Sequence, residues 1–173
     1  EENIDPILLI LSSDHYIQKI ENFKKSIQKS IELASDGNLM IFGIIPSHPA
    51  TGYGYIKAQN QLRTESFIPN KVEKFIEKPN SKTAELLFDD KKYSWNSGMF
   101  VFKTSSILNE LSKFTPEIIE NCHECLKKSK LDLDFLRLDK LSFSKCPDVS
   151  IDVAVFEKTT KAYVLPMDCG WDD

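Results

Sequence analysis

Apolar and polar positions alternate along this chain in two rhythms. Ile7 to Leu11 is an unbroken apolar run after Pro6, the pattern of a strand buried on both faces in a parallel sheet covered by helices. From Ile20 the period lengthens. Ile20, Phe23, Ile27, Ile31 and Ala34 recur every three or four residues, while Lys19, Lys24, Lys25 and Lys29 fall largely on the other face. This predicts an amphipathic helix, stopped by Gly37 and Asn38. Leu39 to Ile45 reads as a second buried strand, so the chain opens strand, helix, strand, which favours a right-handed parallel crossover.

The pattern then shortens. Pro46 to Tyr55 carries two prolines and two glycines and reads as a loop. Val72 to Ile76 is a strand ended by Glu77-Lys78-Pro79, with a short helix after it capped near Asn80 or Ser81. Met99 to Phe102 is a strand leaving a turn at Asn96-Ser97-Gly98. One helix is expected after Thr104. Another follows Thr115-Pro116-Glu117, with proline in its first turn and Lys127-Lys128 at its end, as the helix dipole favours. Lys161 to Met167 supplies one more strand. The expected class is α/β, with a mixed, mainly parallel sheet flanked by helices.

Composition narrows the function. The 173 residues are 41% hydrophobic and 28% charged, ordinary for one globular domain. A net charge of −4 gives no general attraction for a nucleic acid polymer or an anionic membrane. A phosphate-bearing ligand would need local positive charge or a metal. No apolar run spans a bilayer, and Glu1 and Glu2 do not make the basic start of a signal peptide. Cys122-His123-Glu124-Cys125 has a spacing used for zinc or redox chemistry, but it lies in a predicted helix without a second pair, so packing is the simpler reading. Free thiols suit a reducing cytoplasm.

Chemistry-bearing residues gather at predicted strand ends. Ser12-Ser13-Asp14-His15 follows the first strand, where open α/β sheets bind ligands; Asp14 fits either a Mg²⁺ ligand or a cap for the next helix. Thr51-Gly52-Tyr53-Gly54-Tyr55 offers close backbone approach and aromatic stacking, or simply a turn. Glu77 can accept from sugar hydroxyls and Lys78 can neutralise a phosphate, unless they form a solvated pair. Asn96 can serve vicinal hydroxyls or shape a turn. A carboxylate of Asp168-Cys169-Gly170-Trp171-Asp172-Asp173 can be a second metal ligand. Asp152 is a weaker site. His15, His48 and His123 show no triad or ligand spacing. Asp132-Leu133-Asp134 matches a D-x-D, but in a helical-looking, Leu-rich stretch.

In order and spacing, Leu11 to His15, Pro49 to Ile56, Phe75-Ile76-Glu77-Lys78-Pro79, Trp95 to Phe100, Ser150-Ile151-Asp152 through Lys158, and Asp168 to Trp171 resemble the motif series of mannose-1-phosphate guanylyltransferases, within the sugar-nucleotidyltransferase superfamily. The resemblance covers nearly the whole chain. Ser12-Ser13 replaces the usual Pro-Ala but leaves the Asp in place. The family's Gly-rich nucleotide loop is absent, and only the first Asp of its D-V-G-S-W stretch is present, as Asp173. The resemblance implies a Rossmann-like nucleotidyltransferase fold of GT-A type, truncated at the N-terminus. It would divide into the remainder of a nucleotide and metal half (1–60) and a sugar-phosphate half (61–173). It implies catalytic roles for Asp14 and Lys78, and Mg²⁺ on Asp14 and Asp173. Gly54, Tyr55, Glu77, Lys78, Asn96 and Asp152 would bind the sugar phosphate. The substrates would be GTP and mannose-1-phosphate, in the cytoplasm, in a protein that can be a homo-oligomer. A different base or sugar, or a non-catalytic sugar-phosphate module, are the alternatives.

Overall fold

The structure, a computed structural model, describes residues 4–173; Glu1 and Glu2, which bear on the leader reading, lie outside them. The strands are β1 (Ile7–Ile10), β2 (Tyr16–Ile17), β3 (Leu39–Ile44), β4 (Tyr55–Ala58), β5 (Asn70–Ile76), β6 (Tyr93–Lys103), β7 (Lys130–Asp132), β8 (Phe135–Arg137), β9 (Ala162–Met167) and β10 (Trp171–Asp172). The helices are α1 (Ile20–Ser35), α2 (Ser81–Asp89), α3 (Thr104–Phe114), α4 (Pro116–Lys127) and α5 (Lys140–Phe143). Two compact units divide the chain: the described residues up to Ile107 with Thr159–Asp173, and Leu108–Lys158. No helix among the described residues is long and apolar enough to cross a membrane.

The first unit is built on a six-stranded sheet ordered β1-β6-β3-β9-β5-β4, with β6 also pairing β4. The expected mixed sheet with flanking helices is present. Its ladders, however, are less parallel than the apolar runs suggested. Only β3 and β9 pair in parallel; β1–β6, β3–β6, β4–β5, β4–β6 and β5–β9 are antiparallel. The reason is β6, which runs back between β1 and β3 and so separates the two strands that α1 connects. The residues assigned to separate halves, 1–60 and 61–173, thus share one sheet.

β3 lies near the middle of the sheet, and Leu39, Met40, Ile41 and Phe42 are each 0% exposed. One face packs Met40, Phe42, Met99, Val101, Leu165 and Met167 against Ala34, Phe23 and Ile27 of α1. Each such side chain contributes about 1.5–3 kcal/mol on burial. A second cluster, Tyr55, Tyr93 and Trp95 with Ala84 and Leu87 of α2, holds β4 and the start of β6. The Asn80 side chain caps α2 by accepting from the Thr83 amide at 2.9 Å.

Three expectations change. β1 is an edge strand rather than one buried on both faces, and Leu9, Ile10 and Leu11 are 39%, 42% and 47% exposed. Asn96-Ser97-Gly98 is no turn before a strand but an irregularity inside β6. The pairing steps from Ile41↔Phe100 to Gly43↔Asn96, and Gly98 takes φ +69°, so extra residues bulge out of the ladder. In the second unit the D-x-D is not helical: it forms the β7–β8 hairpin, with Leu133 at φ +53° and Asp132 paired to Arg137 at 3.0 Å.

Candidate active site

The loop after β1 carries Asp14 and His15, and a short ladder folds the far end of the chain onto it. Trp171 and Asp172 pair with Ile17 and Tyr16, and the Gln18 and Lys19 amides donate to the Cys169 carbonyl at 3.1 and 2.7 Å. Gly170 makes the bend at φ +61°, where a Cβ would lie 2.7 Å from Gln18 Cβ. Asp14, His15 and Asp173 thereby place ligand atoms within 4.8 Å of one another. Trp171 Nε1 donates to His15 Nδ1 at 3.2 Å, and His15 Nε2 lies 3.2 Å from Asp173 Oδ1. Two carboxylates at one point offer the hard oxygen donors that Mg²⁺ takes, so the residues fit that ion. Asp168 does not compete for it: Lys19 Nζ holds both its oxygens, at 2.8 and 2.7 Å. Burial, then the negative charges of Asp173 and Asp172, push the Tyr53 hydroxyl above its ordinary range.

A second group forms where β4, β5 and β6 meet. A Cβ on Gly54 would stand 2.7 Å from Glu77 Oε2 and 3.2 Å from the Phe75 ring, so the missing side chain is what admits the Glu77 carboxylate. The Gly54 carbonyl accepts from the Asn96 amide at 2.7 Å, and Asn96 Oδ1 accepts from the Gly98 amide at 3.0 Å. Lys78 precedes Pro79 at φ +41°, a left-handed conformation that non-glycine residues adopt at a cost. Its side chain stays 65% exposed, with Nζ 3.5 Å from Glu77 Oε1. Gly54, Glu77, Lys78 and Asn96 are therefore neighbours through these contacts.

Two further residues were expected at the sugar site. Tyr55 is 0% exposed and donates its hydroxyl to the Ala50 carbonyl at 2.9 Å. Its side chain packs in the second core cluster. Both faces of β4 are covered here, since Ile56 is 0% exposed as well. Asp152 belongs to the second unit, at the start of the π-turn Asp152–Phe156.

Sequence reasoning missed the aromatic row between the two groups. His15 meets Trp171 edge-on at 5.3 Å, Trp171 meets Tyr53 at 5.4 Å, Tyr53 meets Trp95 at 5.1 Å, and Trp95 meets His48 at 4.9 Å. Only the stacking capacity of the Gly-Tyr loop hinted at it. Trp95 Nε1 is buried with no hydrogen-bond partner. Trp95 and Trp171 line a cavity of ≈ 370 Å³ with Ser47, Asp168 and Gly170, within the size range of small-ligand sites.

All four cysteines are free thiols. Cys122 and Cys125 sit on α4, Cys125 is buried with its Sγ donating to the Asp139 carbonyl at 3.4 Å, and among the described residues neither joins a metal-ligating group. Cys169 is 1% exposed; burial, then Asp168, pushes its thiol up to about 11. At pH 8 it is expected to react with iodoacetamide at least ~100-fold more slowly than a free thiol, because the thiolate is the nucleophile. Peptide mapping should find Cys169 alkylated only after denaturation; rapid labelling of the native chain contradicts this.

The family described as nucleotidyl transferase matches residues 1–173. The mannose-1-phosphate guanylyltransferase of Escherichia coli is 45% identical over 172 residues, 99% of this chain and 37% of that protein. The chain thus spans little more than a third of that curated relative. A Helicobacter pylori structure described as mannose-6-phosphate isomerase superposes with TM-score 0.87 at 32% identity, covering 96% of this chain and 64% of that one. A Thermus thermophilus structure described as mannose-1-phosphate geranyltransferase gives TM-score 0.80 at 28% identity, covering 96% and 46%. With its whole described length matched and its strand-end site residues gathered as above, the chain belongs to the nucleotidyl transferase family.

Proposed function

We propose that the full-length protein makes GDP-mannose and pyrophosphate from GTP and mannose-1-phosphate. The observation that carries this reading is the single row of side chains from Asp14, His15 and Asp173, through Trp171, Tyr53 and Trp95, to the loop that holds Gly54 beside Glu77. A carboxylate pair suited to a metal and a carboxylate–lysine–amide group suited to a sugar phosphate fit the two substrates of such a transfer. A phosphate oxygen of the sugar attacks the α-phosphorus of GTP, a P–O bond forms, and the bond to pyrophosphate breaks.

Asp14 and Asp173 would hold Mg²⁺, which when bound supplies charge neutralisation at the phosphates. Glu77 accepts from sugar hydroxyls, and Lys78 meets the sugar phosphate as a point charge. Trp95 and Trp171 of the aromatic row wall one side of the cavity. Transfer then depends on positioning and electrostatics, with no covalent enzyme intermediate. The free cysteines fit a reducing compartment such as the cytoplasm.

The test is pyrophosphate release by the full-length protein with a panel of nucleotides and sugar phosphates. GTP with mannose-1-phosphate is expected to be the best pair; preference for another base or sugar overturns the assignment. In the same assay Lys78→Ala should raise KM for mannose-1-phosphate by roughly 30-fold or more, about 2–3 kcal/mol for a charge-assisted contact, while KM for GTP stays within about 3-fold. Equal losses for both substrates place Lys78 elsewhere.

A further inference from the structure

We infer that His15 is a positioning residue for Asp173, locked in one tautomer by Trp171 so that it presents an N–H to that carboxylate; the inference rests on the metal reading proposed above. The geometry runs in one direction. An indole nitrogen only donates, and Trp171 Nε1 points at His15 Nδ1 from 3.2 Å. Nδ1 is therefore the acceptor, and the neutral ring carries its proton on Nε2. That nitrogen lies 3.2 Å from Asp173 Oδ1.

The surroundings hold the ring in this pose. The His15 side chain is only 8% exposed, whereas Asp173 is 40% exposed. Trp171 packs edge-on at 84°, and Gly98 lies nearby, where an added Cβ would stand 4.0 Å from His15 Cε1. The Asp173 side chain is 40% exposed and would otherwise sample several rotamers. An imidazole nitrogen 3.2 Å away on a ring with little exposure favours those that keep Asp173 near Asp14. Imidazoles and carboxylates supported by such outer partners are the usual way a protein tunes a metal site. Trp171 thus has two roles. Its backbone pairs β10 to β2, and its indole sets the histidine tautomer.

The experiment measures Mn²⁺ binding to the full-length protein by electron paramagnetic resonance of the free ion, beside ¹⁵N-edited spectra of the histidine rings at pH 8. His15→Leu is expected to raise the Mn²⁺ dissociation constant about 10-fold or more, as loss of an outer partner does. His15→Gln, whose amide can donate to Asp173, should stay within about 3-fold of the unmutated protein. The spectra should show His15 with its proton on Nε2. Unchanged Mn²⁺ affinity in His15→Leu overturns the inference, as does a proton on Nδ1. Equal weakening in His15→Gln and His15→Leu overturns it too, in favour of His15 as a direct nitrogen ligand. Absence of Mn²⁺ uptake by the unmutated protein overturns the metal reading instead. Circular dichroism checks folding of the variants; if His15→Leu is unfolded, the tautomer and His15→Gln decide.

Discussion

Asp14→Asn is expected to lower turnover of the full-length protein by about 10³-fold or more at saturating Mg²⁺, with its fold intact. The amide has the same shape as the carboxylate, and Asp14 is exposed, so packing is not disturbed. What changes is charge: one of the two carboxylates gathered within 4.8 Å is lost. Loss of a metal's stabilisation at phosphate is worth several kcal/mol, and about 4 kcal/mol corresponds to roughly 10³ in rate. Asp168→Asn provides the contrast. Its carboxylate is engaged by Lys19 in a pair whose side chains are 49% and 55% exposed, and such surface pairs contribute about 0–1 kcal/mol. That variant should keep most of its activity. The measurement is pyrophosphate release with circular dichroism alongside. Turnover of Asp14→Asn within a few-fold of the unmutated protein removes Asp14 from the role proposed for it.

Gly43→Ala should destabilise the chain by about 2–3 kcal/mol, through overpacking of a filled core. Gly43 stands in β3 opposite Asn96 on one side and Pro166 on the other. A Cβ there would enter the Ser94 hydroxyl and lie 2.7 Å from Val164 Cγ2. The Ser94 hydroxyl is itself buried without a hydrogen-bond partner, so Ser94→Ala alone should be near neutral or slightly stabilising. Because the two sites share one space, the double variant should recover part of the loss, with a coupling of about 1 kcal/mol or more. Urea unfolding of the four chains measures this. Strict additivity would show that the strand shifts to accept the methyl and that β3 is less tightly held than the distances imply.

The elements legible in the sequence were those with a local cause. α1 appears where the apolar period became helical, and Gly37 ends it at φ +88°. α2 begins at its asparagine cap and α4 at its proline. The elements that escaped have causes far away in the chain. In the β7–β8 hairpin, Leu131, Phe135 and Leu136 of the strands and Leu133 of the turn are all more than half exposed, so neither period nor burial marked them. β2 and β10 are two residues each and exist only because they pair with one another.

The site divides along the same line. Asp14, Gly54, Glu77, Lys78, Asn96 and Asp173 are each ordinary for a loop beside a strand, and it is the order and spacing of the motif series that ties them to one family. Sequence by itself therefore determined the family, the main helices and strands, and the polar residue types gathered near the strand ends. Only the tertiary structure decided that β6 separates β1 from β3, that Tyr55 turns into the core, that Asp168 is engaged by Lys19 while Asp173 reaches Asp14, and that His15 stands between Trp171 and Asp173. The physical reason is range. Periodicity, capping and turn chemistry act over a few neighbours and leave their mark in order along the chain. Ladder partners and rotamers are chosen by contacts between segments at opposite ends of it, where a lone histidine or a terminal aspartate carries no local signal of what it will face.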